Sequence, residues 1–186
     1  MRNCLIVGAG STVKHYIKSI KRFIADNNCV TIGINNITKQ IVPDYHLWTN
    51  TKRFMAFHHC IKPESKVVIG STLHDRLNVK KYVREYDIFP DDIKKYRNAG
   101  CLAIKFADSF ADTIYIAGMD GYTLCYKGDQ HCYGKGCTDS ADHKYEQSKD
   151  GEIYHCLQEI DIDFTIITPT VYERFYDKAI LATDTA

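Results

Sequence analysis

Leu5-Ile6-Val7 is an unbroken apolar run, and after Gly8-Ala9-Gly10 the apolar positions change to helical spacing. Val13, Tyr16, Ile17, Ile20, Phe23 and Ile24 share one face, while Lys14, Lys18, Lys21 and Arg22 take the other. The alternation of short apolar runs with amphipathic stretches continues along the chain. It predicts strands over 3–8, 29–34, 45–49, 66–69, 113–117 and 164–167, several with the β-branched content of strands covered on both faces. Helices are predicted over 13–24, from Thr51 onward, over 73–83, 99–107 and 150–160, with Thr168-Pro169-Thr170 opening a short terminal one. The pattern is weakest over 86–98, and 123–148 reads as a long polar loop. No repeat, linker or low-complexity segment interrupts this order, so residues 1–186 are expected to form one doubly wound α/β domain with a mostly parallel, Rossmann-like sheet.

Composition narrows the range of partners. The 186 residues are 45% hydrophobic, enough for one well-buried core. Twenty-four basic side chains against 23 acidic ones leave a formal charge of +1, which argues against a general electrostatic grip on nucleic acid or an anionic membrane. Any bound anion is then expected to meet a local cluster of charge. No apolar stretch approaches the roughly 18 residues that span a bilayer, and Met1-Arg2-Asn3-Cys4 precedes no small-residue cleavage site. A cytoplasmic location is expected. The eight cysteines are accordingly expected to be reduced thiols, several of them within core-like segments.

If the strands are parallel, Gly8-Ala9-Gly10, Asn35-Asn36, Asn50, Gly70-Ser71, Gly118 to Tyr122 and Thr168 to Thr170 all leave from one edge of the sheet, where α/β proteins bind ligands. The first turn does not fit a nicotinamide dinucleotide: Val13 stands where a third glycine would, and no acidic residue closes the second strand. It lacks the Gly-Lys-Ser/Thr of a Walker loop as well. Its bare N–H groups at a helix N-terminus, with Ser11 and Thr12 beside them, suit one phosphate. The plainer reading is a tight turn with Ser11 as helix cap. Asn35, Asn36 and Asn50 offer amides that can donate and accept to a ribose or a base edge, although asparagine is also a common turn residue.

The order of these features carries a resemblance. G-x-G-x-S/T, a strand-end asparagine, Thr49-Asn50, a small-residue helix after Asn98-Ala99-Gly100, "IYIAGMDGY", "QSKDGEI" and a terminal Thr-Pro together resemble the Rossmann-like family of bacterial CMP-sialic acid-dependent sialyltransferases. Related domains are the motility-associated glycosyltransferase-like and 6-hydroxymethylpterin diphosphokinase-like proteins. "LWTNTKRF" with "TPTVY" is also similar to a domain appended to aldolase-like proteins in surface-sugar gene clusters. The resemblance implies a nucleotide-activated sugar donor of the CMP-sialic acid type, a glycan or small-molecule acceptor, and no required cofactor. In the diphosphokinase-like alternative it implies Mg2+, and a third reading is a nucleotide or sugar-phosphate binding module without turnover. It further implies that Gly8, Gly10 and Thr12 cradle the nucleotide phosphate, that Asn35 and Asn50 line the pocket, and that Asn98, Ala99 and Gly100 lie near the donor. Gly118 and Asp120 would close the central strand, with Asp120 on the ribose or fixing the loop. The family's histidine base falls in register with Gln147, which cannot accept a proton usefully at neutral pH.

Two other histidines, His131 and His143, lie in the polar loop and are the candidate catalytic bases. Tyr145 and Tyr154 are candidate phosphate hydroxyl donors and Lys135 a candidate cation. Cys125, His131, Cys132, Cys137 and His143 are zinc-type ligands, but no Cys-x-x-Cys pair is among them, so no metal site is assigned. Asp120, Asp129 or Asp139 would serve a magnesium ion in the diphosphokinase-like alternative. Tyr45, His46, Trp48 and Phe54 are expected in the core rather than as a base-stacking platform, and the 13 tyrosines fit either an aromatic crevice or an assembly surface between identical chains.

Overall fold

The structure is a computed structural model, and it describes residues 1–96, 98–124, 131–134 and 143–182, with only the backbone of His143 and Ala182. Its seven strands are β1 (Asn3–Val7), β2 (Val30–Ile34), β3 (Tyr45–Trp48), β4 (Lys66–Gly70), β5 (Asp87–Phe89), β6 (Thr113–Ala117) and β7 (Phe164–Ile166). They form one sheet in the order 5-4-3-2-1-6-7, with every pair parallel. The expected α/β class is observed, and the sheet is entirely rather than mostly parallel. Six helices alternate with the strands: α1 (Thr12–Asp26), α2 (Thr51–Phe57), α3 (Ser71–Arg76), α4 (Ala99–Asp108), α5 (His143–Glu159) and α6 (Ala179–Ala182).

The period of two along β1 explains why both faces need covering. Cys4 and Ile6 pack into a core that holds Cys101 and Ile104 of α4 with Ile153 and Leu157 of α5, whereas Leu5 and Val7 pack with Val13 and Ile20 of α1. A third cluster seals the far side of the sheet, where Trp48, Val67 and Ile69 meet Phe54 of α2 and Leu73 of α3. Tyr45 stacks on Phe110, and His46, Trp48 and Phe54 are fully buried, so the aromatic stretch is core as expected.

Four boundaries differ from the sequence reading. Residues 87–89 form an edge strand whose Ile88 is half exposed, too short and too open to show a period. The expected helix over 73–83 stops at Arg76, because Leu77 turns extended, and resumes only as a 3-10 turn at Val79–Lys81. The last helix before β7 begins at His143 rather than at 150, so the final part of the expected polar loop is helical. Thr168-Pro169-Thr170 opens no helix directly; a 3-10 turn at Glu173–Phe175 and then α6 follow. Among the described residues no helix is long and apolar enough to cross a membrane.

Candidate functional site

The strand order reverses between β1 and β6, and at such a switch point the loops leaving neighbouring strands part to opposite faces and open a crevice. Here the two loops first run together. Gly8 N–H donates to the Ala117 carbonyl at 2.8 Å and Gly10 N–H to the Gly118 carbonyl at 3.0 Å. A side chain on Gly8 would stand 2.5 Å from the Gly118 oxygen, and Gly118 itself has a φ of +73° with Val13 close by. On the other flank Gly10 forms an antiparallel bridge with His131, and Cys132 N–H donates to the Ala9 carbonyl at 3.0 Å. The glycines of this turn therefore serve the close approach of three backbone segments.

The mouth of α1, expected to receive a phosphate, is filled by a side chain of the protein. Thr12 N–H donates to Asp120 Oδ2 at 2.8 Å and the Ser11 hydroxyl to the same oxygen at 3.2 Å, while the Thr12 hydroxyl donates to Asp120 Oδ1. Ser11 and Thr12 are wholly buried, Asp120 is nearly so, and a side chain on Gly10 would meet the Asp120 carboxyl. Ser11 and Thr12 thus do not reach the crevice, and the carboxylate stands where the phosphate was expected, satisfying the helix's first donors and its dipole. The arrangement recurs at the second Gly-Ser-Thr. Thr72 N–H and the hydroxyls of Ser71 and Thr72 all donate to Asp91 Oδ1, at 2.7–2.9 Å, and Gly70 abuts the same carboxyl.

Outside this seal lies a cleft of about 660 Å³, within the range of small-molecule sites. Gly8, Gly10, Asn35, Asn50, Asn98, Gly100, Gly118, Asp120 and His131 all line it, so the structure brings together nine of the residues singled out from sequence. Their roles differ. Asn50 caps α2 by accepting from Arg53 N–H at 3.0 Å, and Asn98 caps α4 by accepting from Gly100 N–H at 2.6 Å, so both already hold a backbone partner. Asn35 sits in the left-handed region with φ of 57°, its carbonyl meets His46 Nε2 at 2.6 Å, and its side-chain Oδ1 is buried without a hydrogen-bond partner. Burial holds His46 neutral, its imidazole pushed down to about 4, and the Asn35 carbonyl, which favours the charged form, offsets this only in part.

Four basic side chains that the sequence reading did not select also line the cleft: Lys52, Arg53, Arg76 and Lys149. Among the described residues that line the cleft, Asp120 is the one acidic side chain. Lys52, Arg53 and Lys149 fall within the quoted "LWTNTKRF" and "QSKDGEI", but the usable signal was their position, since Lys52 and Arg53 follow the end of β3 by only a few residues and must lie at the carboxyl edge. Lys149 pairs with Glu152 at 2.8 Å and lies over the Tyr145 ring. Tyr96, Tyr122, Tyr145 and Tyr172 join the lining, so part of the tyrosine content forms an aromatic wall, one of the two arrangements it fitted.

Of the two candidate bases, His131 lines the cleft, mostly buried, its ring stacked on Tyr133 at 4.9 Å. His143 is the first residue of α5, and its side chain lies outside the described residues. Gln147 is exposed on α5 and absent from the cleft lining, so the position matching the family's histidine does not face this site. Tyr154 likewise does not line it. Asp150, three residues on, is structural: it accepts from Tyr122 N–H at 2.7 Å, Thr123 N–H at 2.9 Å, the Thr123 hydroxyl at 2.6 Å and the Tyr172 hydroxyl at 3.1 Å. Cys125, Asp129, Lys135, Cys137 and Asp139 lie outside the described residues, and among those described no three His, Cys, Asp or Glu side chains come together as metal ligands. Cys4, Cys29, Cys60, Cys101, Cys132 and Cys156 are free thiols. No protein-family model matches the chain, and no curated protein matches it either.

Proposed function

We propose that this protein binds a nucleotide-activated sugar in the carboxyl-edge cleft and transfers the sugar to a hydroxyl of a glycan or small acceptor. The observation that supports it most is the convergence of Lys52, Arg53, Arg76, Lys149 and His131 on one cleft in a chain whose formal charge is only +1. Cations offset the charge of a departing nucleotide phosphate, and an imidazole at the same site suits removal of the acceptor's proton. In that reaction the acceptor oxygen bonds to the anomeric carbon as its proton passes to His131. The bond from that carbon to the phosphate oxygen breaks, and its electron pair leaves with the nucleotide. A CMP-linked nonulosonic acid as donor rests on the sequence resemblance alone.

A binding module without turnover is the second reading, favoured by Gln147 standing exposed where the resembling family carries its base. A thermal-shift panel of CMP, CDP, UDP, GDP, ADP and ATP, each with and without magnesium, tests these readings, because a ligand of the native state raises its apparent stability. Stabilisation by CMP without metal is expected, followed by turnover with a CMP-sugar. Stabilisation by ATP only with magnesium would replace the transferase by the diphosphokinase-like enzyme. If none of the six nucleotides binds, the proposal fails.

A further inference from the structure

The N-terminus of α1 is closed to external anions, since Asp120 holds the Thr12 N–H and the hydroxyls of Ser11 and Thr12. An anionic ligand at this edge would have to take its counter-charge elsewhere in the cleft. Lys149 is already engaged by Glu152 at 2.8 Å, and Arg53 donates to the Tyr133 hydroxyl at 3.4 Å. Lys52 and Arg76 form no ion pair among the described residues, and both are exposed at the cleft rim. They follow β3 and β4, which stand two and three strands from β1 in the sheet. At about 4.8 Å per strand, the strand ends they follow stand roughly 10–14 Å from β1, which carries the glycine turn. Asn35, at the end of β2, lies between the two ends, and its unpartnered, buried Oδ1 calls for a hydrogen-bond donor.

We infer that the phosphate-binding pole of this cleft is Lys52 with Arg76 on the β3–β4 side, and that the glycine turn and His131 form the opposite, non-phosphate end. This deepens the proposed function and rests on it for the nucleotide, though not for the phosphate. The ligand class is a phosphate or pyrophosphate ester carrying an N–H or O–H donor next to the charged group, long enough to reach the turn. The polarity is the reverse of that expected from the sequence, in which Gly8, Gly10 and Thr12 hold the phosphate.

The test uses inorganic pyrophosphate as probe, titrated at low salt into the wild-type protein, the double variant Lys52→Gln/Arg76→Gln and, as a remote control, Lys80→Gln. Both cleft side chains are exposed, so their neutralisation should leave the thermal midpoint without ligand unchanged. The expected result is binding that the double variant weakens about tenfold or more and the control does not. No binding by the wild type, or equal binding by the double variant, overturns the inference. The nucleotide panel separates the two ideas. A pyrophosphate site lost in the double variant while no nucleotide binds keeps this pole and removes the proposed function; a nucleotide bound equally by wild type and double variant does the opposite.

Discussion

Burial lifts the Asp120 carboxyl from its ordinary 3.8 to about 6, and the bonds from Thr12 and Ser11 pull it back only in part. The unfolded chain releases this proton near pH 4 and the folded one near pH 6, so between the two the folded state holds the extra proton. Its contribution to stability therefore falls as pH rises through that window, by about 3 kcal/mol at most, and is constant above it. His46 acts in the opposite sense, because its folded imidazole resists protonation down to about 4 and stability is lost as pH falls below 6.5. Only a difference between variants isolates the carboxyl. Asp120→Asn keeps one oxygen for Thr12 N–H and lets the Thr12 hydroxyl turn to accept. Its stability relative to wild type, from urea unfolding, should rise between pH 4 and 6 and level off above, and a flat difference would show that Asp120 titrates normally. Gly10→Ala should cost about 3 kcal/mol or more, since the added carbon would stand 2.4 Å from Asp120 Cγ and 2.6 Å from the Gly118 oxygen. A Gly10 variant that loses ligand would for that reason say nothing about ligand contact. Sequence placed Gly8, Gly10 and Gly118 in turns at strand ends. It could not show what approaches them, because the partner of Thr12 lies 108 residues away.

At the level of elements, legibility followed apolar burial. β1, β2, β3, β4 and β6 were readable because their residues are apolar on both faces, and α1 because its stripe is regular. The start of α5 was not, since Lys144 to Lys149 bury only Glu146, and a helix held through polar groups leaves no apolar period. Its anchor is Asp150, which receives two backbone N–H groups and two hydroxyls from the loop after β6 and from Tyr172. That bond set fixes how α5 closes over the cleft. Asp150→Ala should lower stability by about 2–4 kcal/mol in denaturant unfolding, because it leaves three part-buried donors and the buried Tyr172 hydroxyl without their acceptor. Tyr172→Phe, which removes one hydroxyl, should cost about 1 kcal/mol. Equal losses would mean that Tyr172, not the loop, depends on Asp150. The Asp91 cap of α3 applies the same device to a six-residue helix that has little packing of its own.

For the whole molecule, the position of the cleft was legible and the basic side chains around it were not. A parallel sheet with one reversal has one crevice, and the turn residues named its rim; the cations on α2, α3 and α5 lie far apart in sequence and become neighbours only through the strand order 5-4-3-2-1-6-7. His131 enters the cleft from the loop after β6 and bridges to Gly10 at the end of β1. It is held there by its backbone, through the bridge to Gly10, so its ring can be changed while the segment stays paired. If the ring takes the acceptor's proton, His131→Gln should lower kcat with the found donor by about 10²–10⁴ and leave KM for the donor nearly unchanged, because the cations that bind the phosphate are elsewhere. Loss of donor affinity in that variant would instead make His131 a binding group. Turnover that survives His131→Gln but falls in His143→Ala would move the base to the start of α5, on the β6 side of the switch point.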